Sequence, residues 1–542
     1  MLNSNFMVRT SIEKAIQTAL AELGADDVSF VVERPSDMSH GDYATNAALV
    51  AAKSLKANPR DIAKSLTEKL STIEGVEKIE VAGAGFINFH LSPEALTDVV
   101  EEALKEEWGR NTLYTGKLVL VEYTSPNLFK PLHIGNLIGN IVGESVARLF
   151  EASGGEVKRL NYPSDIGLTI AKGVWGLEKN NLNPEDIAQL GKAYVAGNEA
   201  YESGEAKEGI EAINRALYDG SNKNWSELRE RGIATSLKHL HELCSRLGTK
   251  GFDKEFFESQ SGPIGQQLVG ANVGGVFVKS EGAVVYEGEH TRVFLNSQGL
   301  PTYEAKEVGL FELKSKAYPN FDISITVTGK EQQDFFRIVF DAIRKLFPGK
   351  ANGKDLLHIP TSFLKLTTGK MSSRLGNVIT GESLLGEVTE AARGREDVAV
   401  GALKYTVLKQ GSGKDIMFDP EKSLSLEGDS GPYVQYALVR TRSLLKAAAE
   451  AKVVEKEFSN AVLPRLLIHF PDVVERAAME LEPHHVVTYL TELASSFNSW
   501  YASERLIVDG EVSADALALV RAVEHTLEKG LTVLGIPAPQ EM

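Results

Sequence analysis

Cysteine is almost missing from this chain: 542 residues contain one, Cys244. A single thiol excludes an intramolecular disulfide and any multi-cysteine zinc site, and it reads as a buried helical residue in a reducing compartment. Long apolar runs are absent too. No stretch reaches the roughly 18 uninterrupted apolar residues of a membrane span. The N-terminal run MLNSNFMVRTSIEKAIQ lacks the apolar core of a secretory signal. Together these absences point to a cytoplasmic protein with no membrane partner. Excess positive charge is lacking as well. Asp and Glu total 74 against 58 Lys and Arg, a net charge of −16. That weighs against a general nucleic-acid coat, in which phosphate neutralisation dominates, but leaves room for local basic patches. No internal repeat is present, and no Gly-Lys pair is followed by Ser or Thr, so a Walker A loop is excluded.

What is present is an ordinary balance of 43% hydrophobic and 24% charged residues, enough for several cores. The length implies roughly three or four domains. Residues 8–93 read as a small α/β unit. It has a helix near 10–23, a strand in DVSFVVERP, the loop DMSHGDYATN, two helices, and the strands EKIEVAG and GFINFHL. His40 and Asp42 in that loop read as local architecture, since Asp side chains bond nearby N–H groups. From Lys117 a second pattern begins. LVLVEY is a buried strand, TSPNLFKPLHIGN a loop, and 137–153 a helix with apolar residues at helical spacing, closed by Gly154-Gly155. VKRLNYP supplies the next strand, so the unit is a parallel α/β sheet. Residues 175–270 are helical and polar, an insertion in that sheet. Strands GVFVKS, AVVYEG and TRVFLNS follow, then a helix over 304–315, strand DISITVTG, a helix over 331–347 and strand IPTSFLKL. From Asp429 onward the pattern is helical.

In an open parallel sheet, ligands sit beyond the carboxyl ends of strands, which is where the loop 124–136 lies. Lys130, His133 and Gly135 precede a helix N-terminus, whose free N–H groups and dipole favour phosphate. Gly135 lets a flat base approach the backbone. A lone loop histidine is more often structural; the neighbouring Lys130, Gly135 and helix reverse that weighting for His133.

On these residues a resemblance becomes visible. PLHIGN (131–136) resembles the His-Ile-Gly-His signature of class I aminoacyl-tRNA synthetases, and KMSSR (370–374) resembles their Lys-Met-Ser-Lys-Ser signature. EYTSPNLFKPLHIGN, SHGDYATNAAL (39–49) and FDPEKSLSLEGDSGPYVQYALVRTRSLL (418–445) resemble the arginyl enzymes in particular. The resemblance spans nearly the whole chain, with the insertion matching loosely. It implies a multidomain α/β protein. The expected parts are an N-terminal α/β tRNA-binding domain (1–93), a linker helix (94–116), a Rossmann-type parallel-sheet catalytic domain (117–385), a stem-contact region (386–428) and an all-α anticodon-binding domain (429–542). It implies ATP-dependent attachment of L-arginine to tRNA by a monomer, with Mg2+ accompanying ATP.

The resemblance also assigns residues. Lys130, His133, Gly135 and Asn136, with Lys370, Met371, Ser372 and Ser373, would hold ATP, and Lys130, His133, Asn136, Lys370 and Arg374 would act in catalysis. Two positions depart from the family: Asn136 stands for its second histidine, and Ser373 for its second lysine, with Arg374 a cation one residue on. Arginine selection calls for carboxylates facing a guanidinium, because paired N–H···O contacts give a geometry lysine cannot match. Glu122, Tyr303 and Glu307 are assigned to it, the last two four apart on one helix face. The family usually carries Asp at the position of Glu307. Ser125, Asn127 and His133 would hold the substrate's amino and carboxylate end, with Gln333, or Gln332 by a shift of register. Phe86 and Asn88 would touch the tRNA elbow. Tyr433, Tyr436, Arg440, Asn498, Trp500 and Tyr501 would touch the anticodon, although Tyr433, Tyr436, Trp500 and Tyr501 read equally well as core aromatics. Competing readings are another synthetase of the class, which Glu122 and Glu307 oppose for acidic substrates, and a paralogue that binds tRNA without charging it.

Overall fold

The computed structural model describes residues 4–35, 37–70, 72–367, 380–455, 460 and 462–542. The N-terminal unit runs α1 (Ser4–Glu22), β1 (Val32–Glu33), β2 (Tyr43–Thr45), α2 (Ala47–Leu55), α3 (Pro59–Lys69), β3 (Val76–Ala82), β4 (Phe86–Leu91) and α4 (Pro93–Glu102). Its antiparallel sheet has the order β1-β2-β4-β3. The run DVSFVVERP contributes only the short β1; Pro35 ends it, having no N–H for a ladder.

The central α/β unit begins with β5 (Leu118–Glu122), α5 (Ile134–Ala152) and β6 (Glu156–Asn161). Helices α6 (Leu168–Asn180), α7 (Ile187–Glu202), α8 (Lys207–Asp219) and α9 (Lys223–Arg246) form the insertion, whose core also buries Leu128 and Phe129 of the loop after β5. Next come β7 (Lys254–Glu255), α10 (Glu258–Ala271), β8 (Val278–Ser280), β9 (Ala283–Glu287), β10 (Thr291–Leu295) and α11 (Tyr303–Ala317). The unit closes with β11 (Ile323–Gly329), α12 (Gln333–Leu346), the single turn α13 (Pro348–Ala351) and β12 (Asp355–Thr361). The central sheet is parallel with the order β12-β11-β5-β6-β7, so the strand order reverses between β5 and β11. A crevice at such a reversal, at the carboxyl ends of the strands, is where these sheets bind ligands.

Both faces of the sheet are covered, which is why β5 reads as a continuous apolar run. Val119 and Val121 pack toward α5 with Val146, Ala147 and Phe150. Leu120 faces the other way, into a core with Ala305, Val308 and Phe311 of α11. Strand alternation therefore sends Glu122 to the α11 side.

Beyond the parallel sheet, β13 (Leu364–Leu366), α14 (Gly381–Ala391), α15 (Glu396–Leu408), β14 (Ile416–Phe418) and α16 (Pro420–Ser423) lead into the C-terminal unit. That unit holds α17 (Gly431–Ala448), β15 (Lys452–Val454), α18 (Val462–Leu467), α19 (Phe470–Glu480), α20 (His484–Ser503), β16 (Ile507–Val508), β17 (Glu511–Ser513) and α21 (Ala514–Leu534). It is helical, yet a ribbon ordered β15-β17-β16 joins loops expected to carry no strand.

Ion pairs dock the N-terminal unit on these helices. Arg9 meets Asp472 at 2.9 Å, Arg34 bonds Glu492 at 2.7 and 2.5 Å, and Arg465 Nε meets Asp42 Oδ1 at 2.5 Å. Asp42 also accepts from the Leu91 N–H at 2.8 Å. Asp42 is thus not a local loop device: both of its oxygens serve partners distant in sequence. At the far end, Arg148 of α5 and Lys404 of α15 donate to the Thr532 and Gly535 carbonyls at 3.1 and 2.6 Å, capping α21.

Candidate active site

The loop leaving β5 carries backbone strain. Thr124 (φ 75°), Ser125 (φ 36°) and Phe129 (φ 66°) occupy the left-handed region without being glycine. For a β-branched threonine that is a rare conformation, held only where surrounding contacts over-determine it. Those contacts are present. Asn136 Nδ2 donates to the Thr124 carbonyl at 3.0 Å, and Asn140, one turn further along α5, donates to Thr124 Oγ1 at 3.0 Å. The Ser125 N–H donates to Asn161 Oδ1 at 3.2 Å, and Ser125 Oγ accepts from the Tyr162 N–H at 3.3 Å.

Asn136 is engaged at its other end as well, accepting from the His133 N–H at 3.3 Å. Both polar ends of this side chain therefore bond the protein, so it holds the loop rather than offering a free donor. His133 is the N-cap of α5 and half-buried. Burial, aided by Lys130 and opposed by Glu331, holds its imidazole below the usual histidine pKa, so the ring is neutral at pH 7 with one N–H to donate. Gly135 has a use the sequence did not disclose: a Cβ there would lie 2.9 Å from the His133 ring, so its absence gives the imidazole room. The first turn of α5 contains no acidic residue, and partly exposed Lys130 stands beside it. This donor set fits a phosphate group. Across the crevice, β11 ends at Gly329, and Glu331, Gln332 and Gln333 lie exposed at the start of α12. Both glutamines are exposed, so the choice between them stays open. Asn127 is exposed on the same loop as Ser125.

On the other side of β5, α11 brings a set of charges to Glu122. Glu122 is 2% exposed, and its Oε2 lies 2.5 Å from Lys314 Nζ. The contact is a charge contact rather than an aligned hydrogen bond, as Oε2 has no hydrogen-bond partner. Glu258 pairs with Lys306 at 2.5 Å and Glu304 with Arg292 at 3.3 Å. Glu307 alone of these four carboxylates has no cation within ion-pair distance among the described residues. Burial pushes its pKa up to about 8; Glu122 adds to the rise and Lys314 opposes it. Tyr303, at the first position of α11, is 67% exposed, with Lys306 Nζ 5.0 Å from its ring centre. The helix approaches its neighbour closely: a Cβ on Gly309 would lie 1.9 Å from the Ser261 carbonyl of α10.

The residues assigned to tRNA divide. Phe86 is 43% exposed on β4, but Asn88 is 3% exposed between β2 and β3 and offers no surface contact. Trp500 is 6% exposed, packed edge-on to Phe497, and belongs to the core. Tyr433 is half-buried. Tyr436, Arg440, Asn498 and Tyr501 converge where α17 meets α20. Arg440 bonds Asn498 Oδ1 at 2.7 Å and the Tyr436 hydroxyl at 3.1 Å, and its guanidinium lies 4.6 and 5.1 Å from the Tyr436 and Tyr501 ring centres. Lys370, Met371, Ser372, Ser373 and Arg374 lie outside the described residues. The chain following them docks on the first motif, where the Gly381 N–H donates to the Leu132 carbonyl at 2.8 Å and Thr380 bridges His133.

Sequence reasoning missed Lys314, Asn140 and Asn161. A signal existed for the first: Lys314 follows Glu307 by about two helical turns and shares its face. The asparagines gave none, because their partner is a strained loop.

A family profile described as "tRNA synthetases class I (R), catalytic domain" matches residues 99–419. "Arginyl tRNA synthetase N terminal domain" matches 9–91 and "DALR anticodon binding domain" 434–542. The arginine–tRNA ligase of Clostridium botulinum is 31% identical, over 96% of this chain and 97% of the relative. That of Treponema denticola is 30% identical over 94% of each. The solved arginyl-tRNA synthetase of Thermus thermophilus superposes with a TM-score of 0.84 at 27% identity, covering 99% of this chain and 100% of that one.

Proposed function

Because the chain belongs to the class I arginyl-tRNA synthetases, we propose that it attaches L-arginine to tRNA(Arg) through an arginyl-adenylate, releasing AMP and pyrophosphate. The observation that carries this reading is Glu307, a carboxylate left without a cation in a cluster where Glu122, Glu258 and Glu304 each have one. A guanidinium supplies the missing charge, and its planar fork suits a carboxylate edge. Tyr303 gives that group an aromatic face, and Glu122 a second acceptor. Ser125, Asn127 and Gln333, or Gln332, hold the amino-acid end. Such a polar site rejects other amino acids without editing, since a mismatched substrate leaves buried groups unpaired.

The first step is attack of the arginine carboxylate on the α-phosphorus of ATP. The attacker is already anionic, so no general base is needed, and catalysis rests on positioning and charge stabilisation. Lys130, the neutral His133 and the first turn of α5 hold phosphate oxygens, with Gly135 keeping the His133 ring in place. Lys370, Met371, Ser372, Ser373 and Arg374 act from the pyrophosphate side. Magnesium bound with ATP would supply charge neutralisation on its phosphates. Asn136 serves by fixing the Thr124 carbonyl. In the second step a ribose hydroxyl at the tRNA end attacks the adenylate.

For tRNA, Phe86 stands at the elbow-facing strand, and Tyr436, Arg440, Asn498 and Tyr501 form an aromatic and guanidinium surface suited to stacked single-stranded bases. No described helix is long and apolar enough to cross a membrane. A monomer in the cytoplasm completes the reading.

The test is aminoacylation of total tRNA with each of the twenty amino acids in the presence of ATP and magnesium. Charging with arginine alone is expected. Charging with another amino acid keeps the class and overturns the pocket; tRNA binding without any charging overturns the activity.

A further inference from the structure

A lysine inside a pocket that receives a cation carries the wrong sign, and burying it costs solvation. Lys314 is nevertheless there. Its side chain is 6% exposed and that of Glu122 3%, with 2.5 Å between Nζ and Oε2. Lys314 lies on the face of α11 that bears Glu307, about two turns away. Around them every other carboxylate has its own cation: Glu258 has Lys306 and Glu304 has Arg292. We propose that Lys314 is a positioning and charge-setting residue of the arginine pocket, holding one oxygen of Glu122 and cancelling its charge so that a single unmatched negative charge, on Glu307, remains for a single guanidinium. The proposal rests on the reading of Glu307 as the partner of arginine.

The charge count gives it consequences that a packing role lacks. With Lys314 in place and Glu307 ionised, two carboxylates and one lysine sum to one negative charge, which one guanidinium completes. Removing the Glu122 charge alone leaves Lys314 as an unpaired buried cation beside the entering guanidinium, and the two repel. Removing both restores the count. Glu122→Gln is therefore harmful, and Lys314→Met added to it is corrective. Loss of an acceptor that only read the guanidinium directly would not be repaired by a second deletion.

The experiment is steady-state aminoacylation by the full-length enzyme at saturating ATP and tRNA, with KM for arginine and for ATP measured separately. Glu122→Gln is expected to raise the arginine KM on the order of 100-fold, from repulsion between two neighbouring cations in a partly polarisable pocket. Its ATP KM stays within about 3-fold, and the double variant Glu122→Gln/Lys314→Met returns arginine KM to within about 10-fold of the starting enzyme. Lys314→Arg, which keeps the charge, stays near the starting value. A double variant as impaired as Glu122→Gln overturns the proposal, as does a rise in ATP KM parallel to that for arginine.

Should Glu122→Gln fail to fold, Lys314→Met alone carries the test. The carboxylates that then face Glu307 are Glu122, Glu258 and Glu304, with Lys306 and Arg292 still paired. Loss of the opposing cation moves the pH at which arginine KM rises upward by about one unit; no movement overturns the proposal. Glu307→Gln separates this from the underlying reading. An unchanged arginine KM in that variant sinks both, and a raised KM without rescue in the double variant sinks only the role of Lys314.

Discussion

Arginine binding should release a proton, and the size of the effect follows from Glu307. In the empty pocket its pKa is raised to about 8, chiefly by burial and then by Glu122, with Lys314 working against them and Glu258 and Glu304 adding. A guanidinium binds the ionised form. Below the raised pKa, each pH unit therefore adds about 1.4 kcal/mol to the cost of binding, because the proton must leave first. Relative to the fully ionised limit well above pH 8, going down to about pH 6.5 costs about 2 kcal/mol, an increase of about 30-fold in arginine KM. Above about pH 8 the carboxylate is already free and KM levels off. His133 is separated from this slope by the ATP KM control, and burial holds its pKa below the ordinary histidine value. The assay is aminoacylation at saturating ATP and tRNA between about pH 6 and 8.5, with ATP KM followed in parallel as a control. Glu307→Gln should abolish the slope and raise KM at every pH. An arginine KM that does not change with pH, or a slope that persists in the glutamine variant, refutes the reasoning.

Four further outcomes follow from the geometry. His133→Ala should lower kcat for adenylate formation by about 100-fold or more while tRNA binding, read by filter retention, stays within about 2-fold; near-normal kcat removes it from the phosphate site. Gly309→Ala drives a Cβ to 1.9 Å from the Ser261 carbonyl and must part α10 from α11, so Tm should fall by several degrees, corresponding to about 1–3 kcal/mol, with a rise in arginine KM because Glu307 rides on the same helix. An unchanged Tm contradicts that packing. Arg465→Ala leaves the Asp42 carboxylate, 3% exposed, without its cation, and should cost about 3 kcal/mol in denaturant unfolding. Its tRNA KM should rise while the arginine and ATP values hold, and an unaltered midpoint would show the contact to be idle. Arg440→Ala removes the guanidinium between Tyr436 and Tyr501 and should weaken tRNA binding about 10-fold, with no effect on arginine-dependent steps measured at saturating tRNA.

Much of the site was legible locally. The apolar run of β5, the helix read over 137–153 (Ile134–Ala152 in the structure) and the four-residue spacing of Tyr303 and Glu307 are patterns of period two and 3.6, which a chain carries in its own order of residues. Alternation along β5 was enough to send Glu122 and Leu120 to one face. The strained turn at Thr124–Ser125 was not legible, because neither residue type favours a positive φ; the turn is held by Asn136, Asn140 and Asn161, which arrive from a helix and a neighbouring strand. Burial was also not legible where exposed and core positions look alike in sequence. Asn88 shares a strand face with Phe86 and is covered, and Trp500 sits next to exposed Tyr501 and is packed.

By itself, then, the sequence determined the main helices and the strands of the parallel sheet, the motif at the N-terminus of α5 and the kinds of charge the pocket would need. Only the tertiary structure decided which charges cancel. Lys314 meets Glu122, Lys306 meets Glu258, and Arg465 meets Asp42 across 423 residues, while Glu307 is left without a cation among the described residues. The reason is physical. Helix and strand periodicity is set by backbone geometry within a few residues. The partner of a charged side chain is set by which faces meet when distant elements pack, and burial at that meeting makes an unpaired charge costly.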